Sequence, residues 1–209
     1  MRGRKLKEFT VDQFTAEAEN YDSYHKMASM DHPDIVAELE VEPFEDVLDC
    51  GCGTGSLLRL LAGHFPGKRF TGIDITPKMI EVAKSQSSDS VEFIVGDCEN
   101  LPFKDESFDI VICSHSFHHY PSPMDFFKSV SRVLRPGGRL IIRDKTGSWW
   151  FLLYCNRFKI IRNRLRHKYG DVRFYSLNQV RRFCLKAGLS VEKLEERAFH
   201  KMHCVARKI

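Results

Sequence analysis

Three aspartates, each at the end of a short apolar segment, are the residues of this sequence best placed to bind a polar ligand. Asp49 lies near the end of EDVLDCG, Asp74 near the end of RFTGIDI, and Asp97 ends VEFIVGD. A single aspartate at such a place is often only a helix cap or a turn residue. Three of them after successive segments are hard to explain as caps, so we expect a ligand site where these segments end.

The glycine-rich stretch VLDCGCGTG contains the first of these aspartates. A glycine turn between a strand and a helix commonly binds the pyrophosphate of a dinucleotide, with the pattern G-x-G-x-x-G. Here Ser56 occupies the position of the last glycine, and Asp49 directly precedes the turn, where it would repel a phosphate. The pattern therefore favours a ligand with positive charge and no phosphate. S-adenosylmethionine, which has an ammonium group and a sulfonium, fits this description.

The other two aspartates suit the nucleoside part of the same ligand. Asp74 lies 23 positions after Gly51, where a carboxylate can accept hydrogen bonds from both ribose hydroxyls. Ile75 offers an apolar surface to an adenine ring. Asp97 can accept a hydrogen bond from the exocyclic amine of adenine.

The elements that must position these residues alternate between strand and helix. Five short segments rich in Val, Ile and Phe, EDVLDCG, RFTGIDI, VEFIVGD, FDIVICS and RLIIRD, are separated by helical patterns such as TGSLLRLLAGHF and PSPMDFFKSVSRVL. This order predicts a parallel sheet with right-handed crossovers. LSVEKLEER and HKMHCVARK follow one another too closely for a crossover, so they should pair antiparallel. We predict an α/β fold, a Rossmann-like doubly wound sheet of five parallel strands and a C-terminal antiparallel hairpin, with helices on both faces.

The length of 209 residues fits a single domain, residues 1–209. Within it we expect an N-terminal helical cap over residues 1–44 and an inserted basic lid over residues 146–175. The N-terminal stretch MRGRKLKEF has no apolar run behind it, so we expect no secretory signal, and its basic residues should form a frayed, solvated tail. Seven scattered cysteines favour reduced thiols and a cytoplasmic protein.

With these motifs in view, the chain resembles the class I S-adenosylmethionine-dependent methyltransferases, and within them the branch of the ubiquinone and menaquinone C-methyltransferases. VLDCGCGTG, GIDIT, GDCENLPF, FDIVICSHSFHHY and VLRPGGRLIIRD match five family motifs in order and spacing, from about Tyr21 to about Asp144. The resemblance implies S-adenosylmethionine as cofactor and methyl transfer as activity. It also implies the cofactor-binding residues, which are Tyr21, Asp49, Gly51, Gly53, Thr54, Asp74, Ile75, Asp97, Cys98 and Ser114.

The stretch SHSFHHY, Ser114 to Tyr120, follows the fourth predicted strand and is where we expect acceptor chemistry. His118, His119 and Tyr120 are the candidate substrate contacts. His115, His118 and His119 have a spacing that could chelate a metal on a helix, but histidines of this loop in the family pack near the cofactor, so we assign no metal. The sequence shows no catalytic triad, and we name no catalytic base.

The acceptor itself is not specified by these motifs. The loop lacks the N-P-P-Tyr-like stretch of enzymes that methylate nucleic-acid amines, so we favour a small-molecule acceptor over nucleic acid. RNA methylation, or an inactive methyltransferase-like binding subunit, are the alternatives.

The basic segment is the second candidate for acceptor choice. Arg157 to Arg173 contains seven Lys or Arg and one Asp, a charge of about +6 in a chain of net charge +4. Over the basic helix 149–169, an apolar stripe at helical spacing should pack on the core as a lid. The stripe consists of Tyr154, Phe158, Ile161, Leu165 and Tyr169. An anionic acceptor, an RNA surface or peripheral contact with an acidic membrane are the other interpretations of the charge.

Overall fold

The computed structural model describes residues 2–24, 31–161, 171–198 and 200–209. Seven strands form one sheet in the order β3-β2-β1-β4-β5-β7-β6. The strands are β1 Asp46–Cys50, β2 Arg69–Asp74, β3 Val91–Val95, β4 Phe108–Ser114, β5 Leu134–Lys145, β6 Leu189–Arg197 and β7 Lys201–Lys208. β1 to β5 pair in parallel, and β7 pairs antiparallel with both β5 and β6. The predicted fold class is confirmed.

Helices connect the strands and precede them. They are α1 Arg2–Glu17, α2 Tyr21–Tyr24, α3 His32–Leu39, α4 Ser56–His64, α5 Pro77–Gln86, α6 Pro123–Val133, α7 Trp149–Tyr154 and α8 Leu177–Lys186. α5 begins with Pro77, which has no N–H to leave unpaired in the first turn. α8 begins with a capping box between Ser176 and Gln179. Within the described ranges, no helix combines the length and the hydropathy that a membrane span requires.

The central parallel strands β1, β2 and β4 are buried on both faces, which explains their largely apolar sequence, whereas the edge strand β3 exposes Glu92 and Val95. In β1, Leu48 packs in the core cluster that also contains Phe126 and Phe127 of α6. The adjacent Val47 packs in the opposite cluster, with Leu58 of α4. Strand order reverses between β1 and β4, so their carboxyl ends border the crevice where open α/β sheets bind ligands.

The N-terminal residues form a helix, so the expectation of a frayed tail is wrong for α1. Lys7 is half-buried and pairs with Asp97 and Glu99, which follow β3. Arg4, by contrast, is exposed and pairs with Glu8 one turn along. The difference arises because one face of α1 packs over the carboxyl ends of the strands while the other faces solvent.

The predicted apolar stripe of the basic segment does not pack on the core in the part that the structure describes. Tyr154, Phe158 and Ile161 are exposed, Phe158 by 62% of its surface. Leu165 and Tyr169 lie outside the described residues.

Other residues of the same segment are buried instead. Leu152, Cys155 and Ile160 pack with Phe174. A π-helical turn over Cys155–Lys159 explains the shift, because its wider turn makes the buried face advance by five residues rather than four.

Candidate functional site

The glycine turn after β1 is shaped by a close approach of two backbone segments. Gly51 has a φ of 76°, a backbone conformation that residues with a Cβ rarely adopt. A Cβ at this position would also lie 1.8 Å from Ser116 Oγ. The amides of Gly51 and Cys52 both donate to the carbonyl oxygen of Ile73, at 2.7 and 3.1 Å. The turn is thus pinned to the end of β2 and leaves no room for a larger residue at position 51.

Asp49 is a buried carboxylate without a full set of partners. It is 3% exposed, and its Oδ1 has no hydrogen-bond partner among the described residues. Burial, reinforced by the nearby charge of Asp74, raises the pKa of Asp49 to about 7. A carboxylate in this condition would be stabilised by a cation, because the described residues supply none beside it.

Asp74 links the glycine turn to the loop after β2. Its Oδ2 accepts a hydrogen bond from the Gly53 amide at 3.0 Å, and its Oδ1 accepts one from the Thr76 amide at 2.8 Å. Burial raises the pKa of Asp74 above its ordinary value, and these hydrogen bonds only partly oppose the effect. The carboxylate therefore holds two loops in register and retains lone pairs for a ligand.

The N-terminal segment also reaches the glycine turn. Thr54 donates its hydroxyl to Asp22 at 2.5 Å, and Arg59 donates to the Thr54 carbonyl at 2.5 Å. Tyr21 lies beside Gly53, whose added Cβ would be 3.7 Å from the ring. Tyr21, predicted from resemblance to cover the cofactor, is thus at the turn.

A narrow cavity of about 40 Å³ lies where these elements meet. Helix α1 contributes Lys7, Thr10 and Phe14 to its walls. The strand ends and the loop after β4 contribute Gly51, Asp74, Ile75, Asp97, Cys98, Ser116, His119, Tyr120 and Pro121. Seven of the thirteen predicted site residues thus line one cavity, while the other six stand outside it.

Asp97 forms an ion pair with Lys7 of α1. Its Oδ2 accepts a hydrogen bond from Lys7 Nζ at 2.5 Å, and its Oδ1 accepts one from the Glu99 amide at 3.0 Å. Burial alone would lower the pKa of Lys7, but hydrogen bonds to Asp97 and Glu99 outweigh it and raise this pKa. Lys7 was missed from sequence because nothing in a basic N-terminal helix indicates a partner 90 residues away.

The loop after β4 separates the histidines that the sequence grouped together. His115 Nε2 lies 2.6 Å from Asp31 Oδ2, and Asp31 also accepts hydrogen bonds from Arg143 and Lys201. Burial would raise the pKa of Asp31, but these three partners lower it well below its ordinary value. His115 is therefore part of a structural ion-pair network and does not join His118.

His118 is buried behind the cavity wall. Its Nδ1 lies 2.6 Å from Asp144 Oδ1, and its Nε2 lies 3.4 Å from Asp171 Oδ1. Burial alone would lower the pKa of His118, but the charge of Asp144 and hydrogen bonds to both carboxylates raise it. His119 lies beside it, with ring centroids 4.1 Å apart, and lines the cavity.

Two residues of this cluster were missed from sequence for different reasons. Asp144 ends the fifth apolar segment, RLIIRD, as the first three aspartates end theirs, so the same pattern could have identified it. Asp171 lies in the basic segment, where no spacing connects it to the loop after β4. Tyr120 turns back to the glycine turn, and its hydroxyl donates to the Cys50 carbonyl at 3.2 Å.

Comparison with known proteins identifies a domain in this chain. Residues 48–142 match the model of a methyltransferase domain. The chain is 37% identical over 148 residues to a demethylmenaquinone methyltransferase of Thermotoga maritima, covering 68% of this chain and 64% of that protein. It is 36% identical over 141 residues to a malonyl-[acyl-carrier protein] O-methyltransferase of Hahella chejuensis, covering 67% and 50%.

A solved structure shares the architecture. A SAM-dependent methyltransferase from Aquifex aeolicus superposes with a TM-score of 0.72 at 20% identity, covering 93% of this chain and 98% of that one. The alignments span less than two thirds of the length of the two curated relatives, 64% and 50%. By sequence, the chain carries a methyltransferase domain over residues 48–142, and by fold it is similar to solved methyltransferases.

Proposed function

We propose that this protein binds S-adenosylmethionine and transfers its methyl group to a small-molecule acceptor. The observation that carries the proposal is Asp49, a buried carboxylate with an unpartnered oxygen beside a glycine turn. A dinucleotide would bring a phosphate to this carboxylate, whereas S-adenosylmethionine brings an ammonium group. The residues present therefore fit this cofactor.

The strand ends provide groups for each part of the cofactor. Asp49, Gly51 and Thr54 would hold the methionine part, with Gly53 and Tyr21 beside it and Ser114 at the end of β4. Asp74 would accept hydrogen bonds from the ribose hydroxyls. The adenine would be held by Ile75, Asp97 and Cys98, three residues of the cavity wall.

When bound, S-adenosylmethionine supplies an electrophilic methyl group on a sulfonium, which is transferred by in-line displacement. The chain contributes position and exclusion of water, which account for much of the acceleration in such a reaction. Helix α1 closes the cavity with Phe14 and Lys7. His119 and Tyr120, which also line the cavity, would contact the acceptor, while the buried His118 would act through the groups that it touches.

The names of the curated relatives support a small acceptor. One relative is named for demethylmenaquinone and another for malonyl-[acyl-carrier protein]. Neither name refers to nucleic acid. We accordingly place a small-molecule acceptor ahead of RNA, and an anionic group on it would suit the basic segment.

The exposed apolar residues of the basic segment further suggest that the protein contacts an anionic membrane surface. Trp149 and Trp150 stack with their ring centroids 3.6 Å apart, and their exposed fractions are 63% and 65%. Together with exposed Leu153, Tyr154, Phe158 and Ile161 they make an apolar face. The seven Lys or Arg between positions 157 and 173 complement acidic headgroups.

A groove beside this face adds to the argument. It has a volume of about 760 Å³. Its lining combines the apolar Trp149, Leu152, Leu153 and Leu177 with Arg157 and Arg173, and also includes Asn156, Ser176, Asn178, Gln179 and Glu196. Such a groove can hold an acyl chain and its anionic head at once. We place the protein in the cytoplasm, where such contact would be reversible; all seven of its cysteines are buried, and none forms a disulfide.

Vesicle sedimentation tests the membrane contact. The protein should sediment with vesicles containing phosphatidylglycerol and less with neutral vesicles. The double variant Trp149→Ala, Trp150→Ala should lose most of this binding, whereas Leu185→Ala, an exposed leucine elsewhere on the surface, should keep it. Equal binding by both variants, or selective binding to RNA instead, would count against a membrane role.

Acceptor profiling tests the proposed activity. Purified protein is incubated with methyl-labelled S-adenosylmethionine and separate pools of small molecules, lipids and RNA. We expect label in the small-molecule or lipid pool, and none with the Asp74→Ala variant. Label in RNA alone would show that the acceptor is RNA and not a small molecule. Cofactor binding without transfer to any pool would favour an inactive binding subunit.

A further inference from the structure

Three side chains that the sequence did not group together form a compact set of potential metal ligands. His118 Nε2 lies 3.4 Å from Asp171 Oδ1, and His119 Nδ1 lies 4.0 Å from the same oxygen. All three ligand atoms are within 4.8 Å of one another. His118 and Asp171 are buried and His119 is half-buried, so the set is shielded from bulk water.

The backbone holds these side chains together. The amides of Val172 and Arg173 both donate to the carbonyl oxygen of His118, at 2.9 and 3.1 Å. The residue before them, Asp171, is thereby fixed against the short 3₁₀ helix Phe117–His119. The proximity of the three ligands thus follows from main-chain contacts and does not depend on side-chain attraction alone.

Asp144 orients the first imidazole in the way that metal sites require. Its two oxygens bind two groups of the same residue: Oδ1 lies 2.6 Å from His118 Nδ1, and Oδ2 accepts a hydrogen bond from the His118 amide at 3.0 Å. With Nδ1 occupied, Nε2 is the nitrogen directed toward Asp171. A ligating histidine nearly always uses its other nitrogen in this manner, often with a carboxylate.

We propose that His118, His119 and Asp171 bind a divalent first-row transition-metal ion. Two imidazoles and one carboxylate are a common donor set for zinc and for non-haem iron, and they leave coordination positions open. The set differs from the histidine triplet that spacing suggested, because His115 is committed to Asp31. It also differs from the assignment of no metal made from sequence.

The position of the ion would connect it to the acceptor. His119 lines the same cavity as Asp74 and Asp97, so the ion would lie beside the cofactor pocket. An open coordination position there could bind an acceptor oxygen and lower the pKa of its hydroxyl group. This second part rests on the proposed function, whereas the binding of the ion does not.

Cobalt titration tests the site with a readout independent of activity. Metal-free protein titrated with Co²⁺ should develop visible absorption that saturates at one ion per chain, and Zn²⁺ should displace it. His118→Asn and Asp171→Asn should each lower the Co²⁺ affinity at least about tenfold. Asp144→Asn should weaken it by about 10–100-fold, since it removes the group that orients His118.

A surface histidine provides the matched control. His64 is exposed and pairs with Glu40, so His64→Asn should bind Co²⁺ like the original protein. Absence of stoichiometric Co²⁺ binding, or equal affinity in the His118 and Asp171 variants, would overturn the proposal. Should those variants fail to fold, X-ray absorption of the cobalt-loaded original protein decides, because the proposal requires two imidazole ligands.

Calorimetry with S-adenosylhomocysteine, run on the metal-free protein, separates this proposal from the proposed function. Binding of S-adenosylhomocysteine without any binding of Co²⁺ would reject the metal site and leave the cofactor assignment in place. Binding of Co²⁺ without any binding of S-adenosylhomocysteine would reject the cofactor assignment and leave the metal site in place.

Discussion

At the scale of single residues, the site depends on carboxylates that are buried before any ligand arrives. Asp49 has a pKa of about 7, compared with 3.8 for an unperturbed aspartate. Because the folded state holds the proton more tightly than the unfolded chain does, ionisation of Asp49 costs stability. Its favourable contribution is complete below about pH 4 and is lost as the pH rises to about 7. A cationic ligand would reverse this cost.

The affinity for S-adenosylhomocysteine should therefore depend on pH through Asp49. If the ligand ammonium requires the ionised carboxylate, affinity should fall roughly fivefold between pH 7 and pH 6. Asp49→Asn should weaken binding and flatten this pH dependence, as measured by calorimetry at each pH. The same slope in the variant would show that another group is responsible.

Asp74 should contribute to affinity more than to the fold. Hydrogen bonds to a charged group are worth about 1.5–3 kcal/mol, so Asp74→Ala should weaken cofactor binding by a few kcal/mol. The control is Asp105→Asn, since Asp105 is exposed and pairs with Arg132 far from the turn. Unchanged affinity in a folded Asp74 variant would show that Asp74 only connects the loops through its hydrogen bonds to Gly53 and Thr76.

At the scale of elements, the strands could be predicted from sequence, whereas the contacts of α1 and the basic segment could not. A strand buried on both faces must be largely apolar, and the central strands β1, β2 and β4 are. The contact of Lys7 with Asp97 depends on where two remote elements pack. The turn at Cys155–Lys159 depends on a local widening that no periodicity reveals.

Helix α1 should act as a lid over the pocket, held closed by the ion pairs of Lys7 with Asp97 and Glu99. Lys7→Met removes the ion pairs to Asp97 and Glu99, so S-adenosylhomocysteine should dissociate several times faster in stopped-flow measurements. Arg4→Met is the matched control on the exposed face of the same helix, and it should leave the rate unchanged. Equal rates for Lys7→Met and the original protein would mean that α1 does not gate the pocket.

The basic segment should show a sharp contrast between two neighbouring apolar residues. Ile160 is 2% exposed and packs with Phe174, so Ile160→Ala should lower the free energy of unfolding by about 2–5 kcal/mol. Phe158 is exposed, so Phe158→Ala should change it by less than about 0.5 kcal/mol. Urea denaturation measures both. A large loss for Phe158→Ala would restore the lid interpretation, in which that side chain is buried.

At the scale of the whole molecule, topology accounts for why seven of the thirteen predicted site residues line the same cavity. Parallel strands end at one edge of the sheet, so residues at successive strand ends converge wherever the strands pair in parallel. That is why Asp74 and Asp97, predicted from their positions alone, line one cavity. Asp171 is not at the end of a strand. Its position beside His118 therefore could not be predicted from the strand pattern.

The central claim is that the site accepts a cationic, phosphate-free cofactor, and one calorimetric comparison tests it most directly. The protein is titrated with S-adenosylmethionine, S-adenosylhomocysteine and NAD under the same conditions. We expect one equivalent of either S-adenosyl compound to bind and NAD to give no signal. Tight NAD binding with no response to S-adenosylmethionine would contradict the account.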